Sequence, residues 1–113
     1  MRGRRRSVLD NYVLAPDGRT PVIERDTLKW AAWFESADRI VRQDKIGDYV
    51  VSTVFLGIDH NWMRRGGPVL WETMVFGGWR WRDDLQQRRY DSYDKAVEGH
   101  MRILELVKMA ATS

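Results

Sequence analysis

Four side chains in this chain of 113 residues could do acid–base or metal chemistry together: Asp59, His60, Glu72 and His100. Two imidazoles with one or two carboxylates can bind a divalent metal, or act as a general acid and base without one. Their spacing matches no established motif such as His-Glu-x-x-His, so the sequence assigns no metal and leaves any cofactor open. We take the four as candidate catalytic residues, with the histidines as acid and base or as ligands, and Glu72 as orienter or ligand.

Three of these residues lie near one end of a predicted long β-hairpin that runs from about Asp48 to Gly77. Its arms, 48–58 and 69–77, hold the densest β-branched and aromatic stretches of the chain, and such residues favour strands. A loop containing Gly-Gly-Pro joins the arms, which are expected to pair antiparallel. Both faces of the first arm are largely apolar. That pattern is typical of a central strand covered on both sides by helices or by a second copy, so a homodimer is expected.

The polar residues interrupt apolar patterns, and an unpaired buried charge is costly. If even-numbered residues of the two arms pair, His60 and Glu72 point the same way, whereas a slip of one residue puts Asp59 beside Glu72. The sequence leaves these registers open. His100 interrupts the apolar stripe of a final helix predicted over about 93–110. We hypothesise that His60, Glu72 and His100 meet in one polar pocket at the loop end of the hairpin, the alternative being that His100 is a satisfied core histidine.

Other segments predict the elements that hold this site. A first helix is expected over about 27–43, capped by Asp26 or Thr27, because apolar residues recur there at helical spacing. Trp30 and Trp33 lie in that stripe, which favours core packing over a ligand platform. Further short extended pieces are expected at 8–14, 20–23 and 87–90. Together these patterns predict an α+β fold, an antiparallel sheet centred on the long hairpin with two amphipathic helices packed on it.

The basic charge of the chain is concentrated at its N-terminus. The formal net charge is +3, and Arg2, Arg4, Arg5 and Arg6 contribute four of the 19 basic residues, so the remainder has 15 basic against 16 acidic residues. We expect a disordered basic arm at 1–7 and a single domain at 8–113. The arm is interpreted as a solvated terminus, with contact to nucleic-acid phosphates as the alternative.

Composition also bears on the compartment. The chain has no Cys, which suits a reducing cytoplasm. No apolar run approaches the roughly 20 residues that a membrane-spanning helix needs, and the basic N-terminus lacks the apolar core of a secretory signal. A cytoplasmic protein without a membrane partner is therefore expected.

Rings and cations are grouped where they could bind an anionic ligand. Arg and Trp alternate over 79–82, so rings could occupy one face of this segment and guanidinium groups the other, and such a strip can stack bases or pair phosphates. The alternative is a loop whose rings cover an edge of the core. The candidate ligand-binding residues are Trp62, Arg64, Arg65, Trp79, Arg80, Arg88, Arg89 and Tyr90.

Two blocks of the hairpin, VSTVFLGIDH at 51–60 and GPVLWETMVFGG at 67–78, resemble a family of small bacteriophage-encoded proteins of unassigned function. The later Arg89-Tyr90 and Gly99-His100 pairs are similar to that family too, and the likeness covers about 12–107. The resemblance implies a viral origin, in the cytoplasm of an infected bacterial host, and implies no reaction. The chain departs from the family at 79–82, where members have a shorter and less basic segment, and in its basic arm.

Three classes of function stay open. The first is a phage accessory protein that binds a small anionic ligand of nucleotide type to counter host antiviral signalling. The second is a phosphodiesterase-like hydrolase that uses His60, Glu72 and His100. The third is a module that binds nucleic acid or protein through the basic arm. Incubation with nucleotides separates the first two, because a binding protein returns its ligand intact whereas an enzyme returns product.

Overall fold

The structure, a computed structural model, describes residues 10–61, 65–77 and 87–112. In this part of the chain the protein is α+β, with two antiparallel sheets and two helices. In chain order the elements are β1 (Tyr12–Leu14), β2 (Pro21–Ile23), α1 (Thr27–Ser36), β3 (Ile40–Ile46), β4 (Tyr49–Phe55), β5 (Trp71–Gly77), β6 (Gln87–Tyr90) and α2 (Tyr93–Thr112). The predicted basic arm at 1–7 lies outside the described residues.

A four-stranded antiparallel sheet carries most of the structure, with its strands in the order β3-β4-β5-β6. The two segments expected to pair do so as β4 and β5, each seven residues long and so shorter than the predicted arms. Their register sets Val54 opposite Glu72 and Thr53 opposite Thr73, so even-numbered residues face even-numbered ones. Because side chains alternate along a strand, this register assigns Glu72 and Thr73 to opposite faces of the sheet.

The core lies between one face of this sheet and α2. Alternate residues of β4 and β5 are almost completely buried against the helix. Two clusters form, one of Val51, Val75, Ile103, Leu104 and Val107, the other of Tyr12, Phe55, Leu70, Trp71 and Ala96. The helix begins at Tyr93, as expected, and the Ser92 hydroxyl accepts a hydrogen bond from the Lys95 amide at 3.1 Å. No helix of the described residues is long and apolar enough to cross a bilayer.

We call the other side of the four-stranded sheet the open face, because no helix of the described chain packs on it. Its side chains follow from the register and are Ile40, Gln43, Lys45, Val50, Ser52, Val54, Glu72, Met74, Phe76, Gln87 and Arg89. Ile40 is 52% exposed and Phe76 is 48% exposed. Two large apolar side chains therefore lie half in solvent on a surface that is otherwise partly polar.

The first helix ends at Ser36, so the predicted helix over 27–43 is wrong in its second half. Ala37 has extended backbone, with ψ of 144°, and the Asp38 carboxylate accepts the Ile40 amide at 3.1 Å. From Ile40 onward the chain pairs with β4, with a register shift between Ile40 and Arg42. Ile40 and Val41 fit a helical stripe by spacing, but they are β-branched, and pairing with a neighbouring strand overrides the helical spacing.

The short helix α1 packs at the end of the sheet. Its Trp30 indole N–H donates to the carbonyl oxygens of Tyr12 and Gly57, each at 3.1 Å. The ring of Trp33 meets Phe55 edge-on, with centroids 5.9 Å apart. The two tryptophans are thus engaged in packing, as their place in the apolar stripe predicted, although neither is fully buried.

Candidate functional site

His100 is a fully buried residue at the centre of the contact between α2 and the sheet. Its Nδ1 lies 2.7 Å from the Thr53 hydroxyl, and its Nε2 lies 2.7 Å from the Asp44 carboxylate. A carboxylate only accepts, so Nε2 carries a proton, and in neutral imidazole Nδ1 accepts from Thr53. Thr53 in turn shares a hydrogen bond with the Thr73 hydroxyl opposite it. Every polar atom of the ring is thereby satisfied.

Threonine, histidine and aspartate in this order resemble the nucleophile, base and orienter of a hydrolase. These residues are inaccessible to a substrate, which argues against that role: Thr53 and His100 are both 0% exposed and Thr73 is 1% exposed. A nucleophile must reach its substrate, and here the hydroxyl is sealed between the helix and the sheet. The array instead joins β3, β4, β5 and α2 through side-chain hydrogen bonds, which is the behaviour of a satisfied core histidine.

Asp44 is the end of this array that reaches solvent, with its side chain 26% exposed. The Arg42 guanidinium donates to the same carboxylate oxygen at 2.8 Å. The hydrogen bond from Arg42, and after it the one from His100, hold the pKa of Asp44 below its usual range. Asp44 therefore stays ionised, as its two donors require.

Glu72 lies on the open face, away from His100. Its carboxylate accepts from Arg89 Nε at 2.9 Å and from the Gln87 amide at 2.5 Å. The carboxylate thus has partners on the neighbouring strand β6, where Arg89 sits directly opposite it. The requirement that an acidic residue in an apolar row must find a partner is met by arginine and amide groups.

Asp59 and His60 organise the start of the hairpin loop. The buried Asp59 carboxylate accepts from the amides of Asn61 at 2.8 Å and Val69 at 2.9 Å. The Asn61 side-chain amide donates to the carbonyl oxygens of Arg65 and Gly67. His60 Nδ1 donates to the Ile58 carbonyl at 2.7 Å. These contacts hold the two ends of the loop together.

The predicted pocket of His60, Glu72 and His100 is therefore wrong. Glu72 and His100 lie on opposite sides of the sheet, since the register turns Thr53 and Thr73 toward the helix and Glu72 away from it. His60 lies beyond the end of β4 and bonds within its own loop. In the described part of the chain, no three His, Asp or Glu side chains come close enough to share a metal ion.

The candidate ligand-binding residues are also dispersed. Tyr90 lies on the helix side, packed against the second core cluster and against Gly99. Arg89 is on the open face with Glu72, while Arg88 is exposed on β6 and opposite Thr73. Arg65 is an exposed loop residue. The remaining four, Trp62, Arg64, Trp79 and Arg80, lie outside the described residues.

Sequence reasoning missed three residues of the buried array: Asp44, Thr53 and Thr73. The available signal was the two threonines, each at the centre of a row of large apolar residues on adjacent strands. With the register known, the threonines lie opposite each other and supply the polar contact that His100 needs. Asp44 could not be found this way, because it lies just after the predicted first helix at 27–43, where no strand was expected, and the structure has it in β3.

The open face offers a different arrangement, in which an aromatic ring and a cation share one row of the sheet. Phe76 lies opposite Val50, and Val50 lies opposite Lys45 on β3. Two strand spacings separate the ring from the lysine, about 10 Å. In the next row the side chains of Gln43 and Ser52 are hydrogen-bonded to each other at 3.3 Å.

No family model, characterised protein or solved structure matches this chain. The described residues offer two features that bear on function: the buried array around His100 and the exposed row from Phe76 to Lys45.

Proposed function

We propose that this protein binds a small anionic ligand of nucleotide type on the open face of its four-stranded sheet, and that it leaves the ligand chemically unchanged. The observation that carries the proposal is the ring of Phe76, 48% exposed on a sheet surface in the same row as the exposed Lys45. An aromatic ring on an antiparallel sheet stacks a base, and a nearby cation pairs with phosphate.

The dimensions of this row suit one nucleotide. A base stacked on Phe76 would extend over the small, half-buried Val50 toward Lys45 on the edge strand. The Phe76 and Lys45 positions are about 10 Å apart, because two strand spacings separate them. Lysine binds phosphate as a flexible point charge, so its long side chain accommodates variation in where the phosphate lies.

The next row supplies polar groups that could recognise a base edge. Gln43 and Gln87 flank Ser52 and Met74 there, on the two outer strands. Gln43 bonds Ser52 through its amide oxygen and Gln87 bonds Glu72 through its amide nitrogen, so the donors of Gln43 and the acceptor of Gln87 are the groups that would match the mixed edges of nucleobases. Met74 offers a soft, polarisable surface beside the ring of Phe76.

The positions of the acid–base groups among the described residues support binding without turnover. Catalysis needs a general acid or base within hydrogen-bond reach of the ligand. Glu72, a carboxylate of the open face, already accepts from Arg89 and Gln87. His100 is buried on the other side of the sheet with both ring nitrogens bonded.

The biological setting that we propose is phage infection, which rests on the resemblance of the hairpin blocks to small phage proteins. Sequestering a nucleotide signal of the host requires affinity and no reaction. An accessory protein that counters antiviral signalling in this way needs only a platform such as the open face.

The proposal is tested by calorimetric titration with adenosine and guanosine monophosphates and with cyclic dinucleotides. We expect Phe76→Leu to weaken binding about tenfold or more, because stacking on an aromatic side chain contributes about 1–3 kcal/mol per base. Phe76→Trp keeps a ring and retains binding. Lys45→Gln weakens binding, whereas Lys29→Gln, at an exposed lysine of α1, leaves it unchanged.

The ligand recovered after denaturation separates the function classes. Intact nucleotide supports a binding protein, and a hydrolysed product overturns the proposal in favour of the hydrolase. Absence of binding to every nucleotide tested, or equal affinities of Phe76→Leu and wild type, also overturns it. Circular dichroism of each variant confirms that the comparison is made between folded proteins.

A further inference from the structure

We infer that β3 is a self-pairing edge, along which two copies of this chain join their four-stranded sheets antiparallel about a two-fold axis at Gln43. In the described chain β3 pairs with β4 on one side and with no strand on the other. An edge strand presents unpaired N–H and C=O groups and is a template for another strand. The strand has seven residues and contains no proline, so all of its backbone N–H groups are present.

Charge complementarity identifies the partner as a second copy. In a two-fold antiparallel pair centred on Gln43, Arg42 of each copy lies opposite Asp44 of the other, which makes two reciprocal pairs of opposite charge. Both residues are on the helix side of the sheet, where they are 2.8 Å apart within one chain. Opposite charges facing each other across strands stabilise the pair.

Other registers are less favourable. Facing residues must lie on the same side of the sheet, so the axis can pass only through a residue and not between two residues. An axis at Arg42, Asp44 or Lys45 puts two like charges directly opposite each other, and such pairs are destabilising. Of the four consecutive polar positions of β3, Gln43 alone is uncharged and tolerates its own copy.

Two features of β3 limit this pairing to one partner. The register shift between Ile40 and Arg42 interrupts the regular edge, and the charge of Lys45 would lose hydration against an apolar strand, which is costly. These devices restrain open-ended aggregation. A short segment with self-complementary charges remains, which is what a closed two-fold contact requires.

Pairing in this way yields one continuous sheet of eight strands. A two-fold axis perpendicular to the sheet keeps the α2 helices of both copies on the same side and both open faces on the other. The inference stands on the edge of β3 and its charges, and it does not depend on whether the open face binds a nucleotide.

Cysteine crosslinking tests the register directly, because the chain has no cysteine of its own. At the two-fold axis the Cα atoms of the facing residues are about 4.5–5.5 Å apart, within the 4.4–6.8 Å range that a disulfide spans. We expect Gln43→Cys to form an intermolecular disulfide under mild oxidation in high yield. Lys45→Cys is then roughly 14 Å from its counterpart and stays unlinked.

The matched control is Gln87→Cys, another exposed glutamine of the open face, on the opposite edge strand. It measures crosslinking by random collision. Selective crosslinking of Gln43→Cys supports the inference, and a rate no faster than that of Gln87→Cys overturns it.

Sedimentation equilibrium of cysteine-free protein gives a second readout. Wild type is expected to show a monomer–dimer equilibrium, and Arg42→Glu is expected to raise the dimer Kd about tenfold or more, because two attractive pairs become repulsive. Arg102→Glu carries the same charge change on the exposed side of α2 and should leave the Kd unaltered. A wild type that stays monomeric up to millimolar concentration overturns the inference.

Discussion

His100 of α2 and Asp44 of β3 are joined by a 2.7 Å hydrogen bond from Nε2 to Oδ2, although 56 positions separate them in the chain. The other ring nitrogen bonds Thr53, so one buried side chain connects the helix to the edge strand and to the centre of the sheet. The four polar residues that the sequence marks as candidate chemistry are thus separated: His100 lies in the core, Glu72 on the open face, and Asp59 and His60 at the start of the hairpin loop.

Replacing His100 tests its structural role. His100→Ala removes a buried side chain together with its hydrogen bonds to Thr53 and Asp44, so we expect a loss of about 2–4 kcal/mol in the free energy of unfolding. Nucleotide affinity per folded molecule should not change. Urea denaturation followed by tryptophan fluorescence measures the first quantity and calorimetric titration the second. Unaltered stability with lost nucleotide binding would contradict this structural role and show that His100 acts in ligand binding.

Stability should fall in acid partly through Asp44. The pKa of Asp44 is lowered in the folded protein by Arg42 and then by His100. The ionised carboxylate therefore stabilises the fold at a pH above its unfolded pKa of about 3.9, and this stabilisation is lost as the pH falls through the lower folded pKa. Arg42→Gln removes the largest cause, so the decline should be shallower than in wild type. Denaturation at fixed protein concentration from pH 5 to pH 2 measures both slopes. Asp17, whose pKa is about 2, contributes equally to both proteins.

The packing of Tyr90 on Gly99 predicts an unusual response to alanine. Alanine normally stabilises a helix by about 1 kcal/mol relative to glycine. A Cβ at position 99 would collide with the Tyr90 ring, so Gly99→Ala should instead destabilise the protein by about 1–3 kcal/mol. The double variant with Tyr90→Leu should regain part of that loss. Thermal melts of the single and double variants measure the effect, and a stabilising Gly99→Ala would contradict this packing.

Removing the charge of Glu72 distinguishes binding from catalysis. Glu72→Gln frees Arg89 and deletes a negative charge from the open face, so affinity for an anionic nucleotide should rise about two- to tenfold. An enzyme that used this carboxylate would lose turnover. The pair is partly exposed, and the cost in stability should be below about 1 kcal/mol. Titration at two salt concentrations measures the change, which should shrink at the higher salt.

Local patterns in the sequence determine the strands, the final helix and the need for polar partners. The β-branched and aromatic residues of 49–55 and 71–77 and the apolar stripe from Tyr93 to Val107 are local features of the sequence, and the structure has strands and a helix there. The first helix shows the limit of such patterns. Ile40 and Val41 fit the helical spacing, yet they begin a strand, because pairing with β4 is a long-range contact that local spacing does not encode.

Which polar groups meet was decided by tertiary structure alone. Glu72 and Thr73 are neighbours in sequence, but side chains alternate along a strand. Glu72 therefore bonds Arg89 on the open face, while Thr73 joins the buried array around His100. A shift of one residue in the register would exchange them. The sequence established that Glu72 and His100 each required a partner, since unpaired buried polar groups are costly. In the folded protein Glu72 pairs with Arg89, and His100 pairs with Asp44 and Thr53, because the sheet lies between Glu72 and His100.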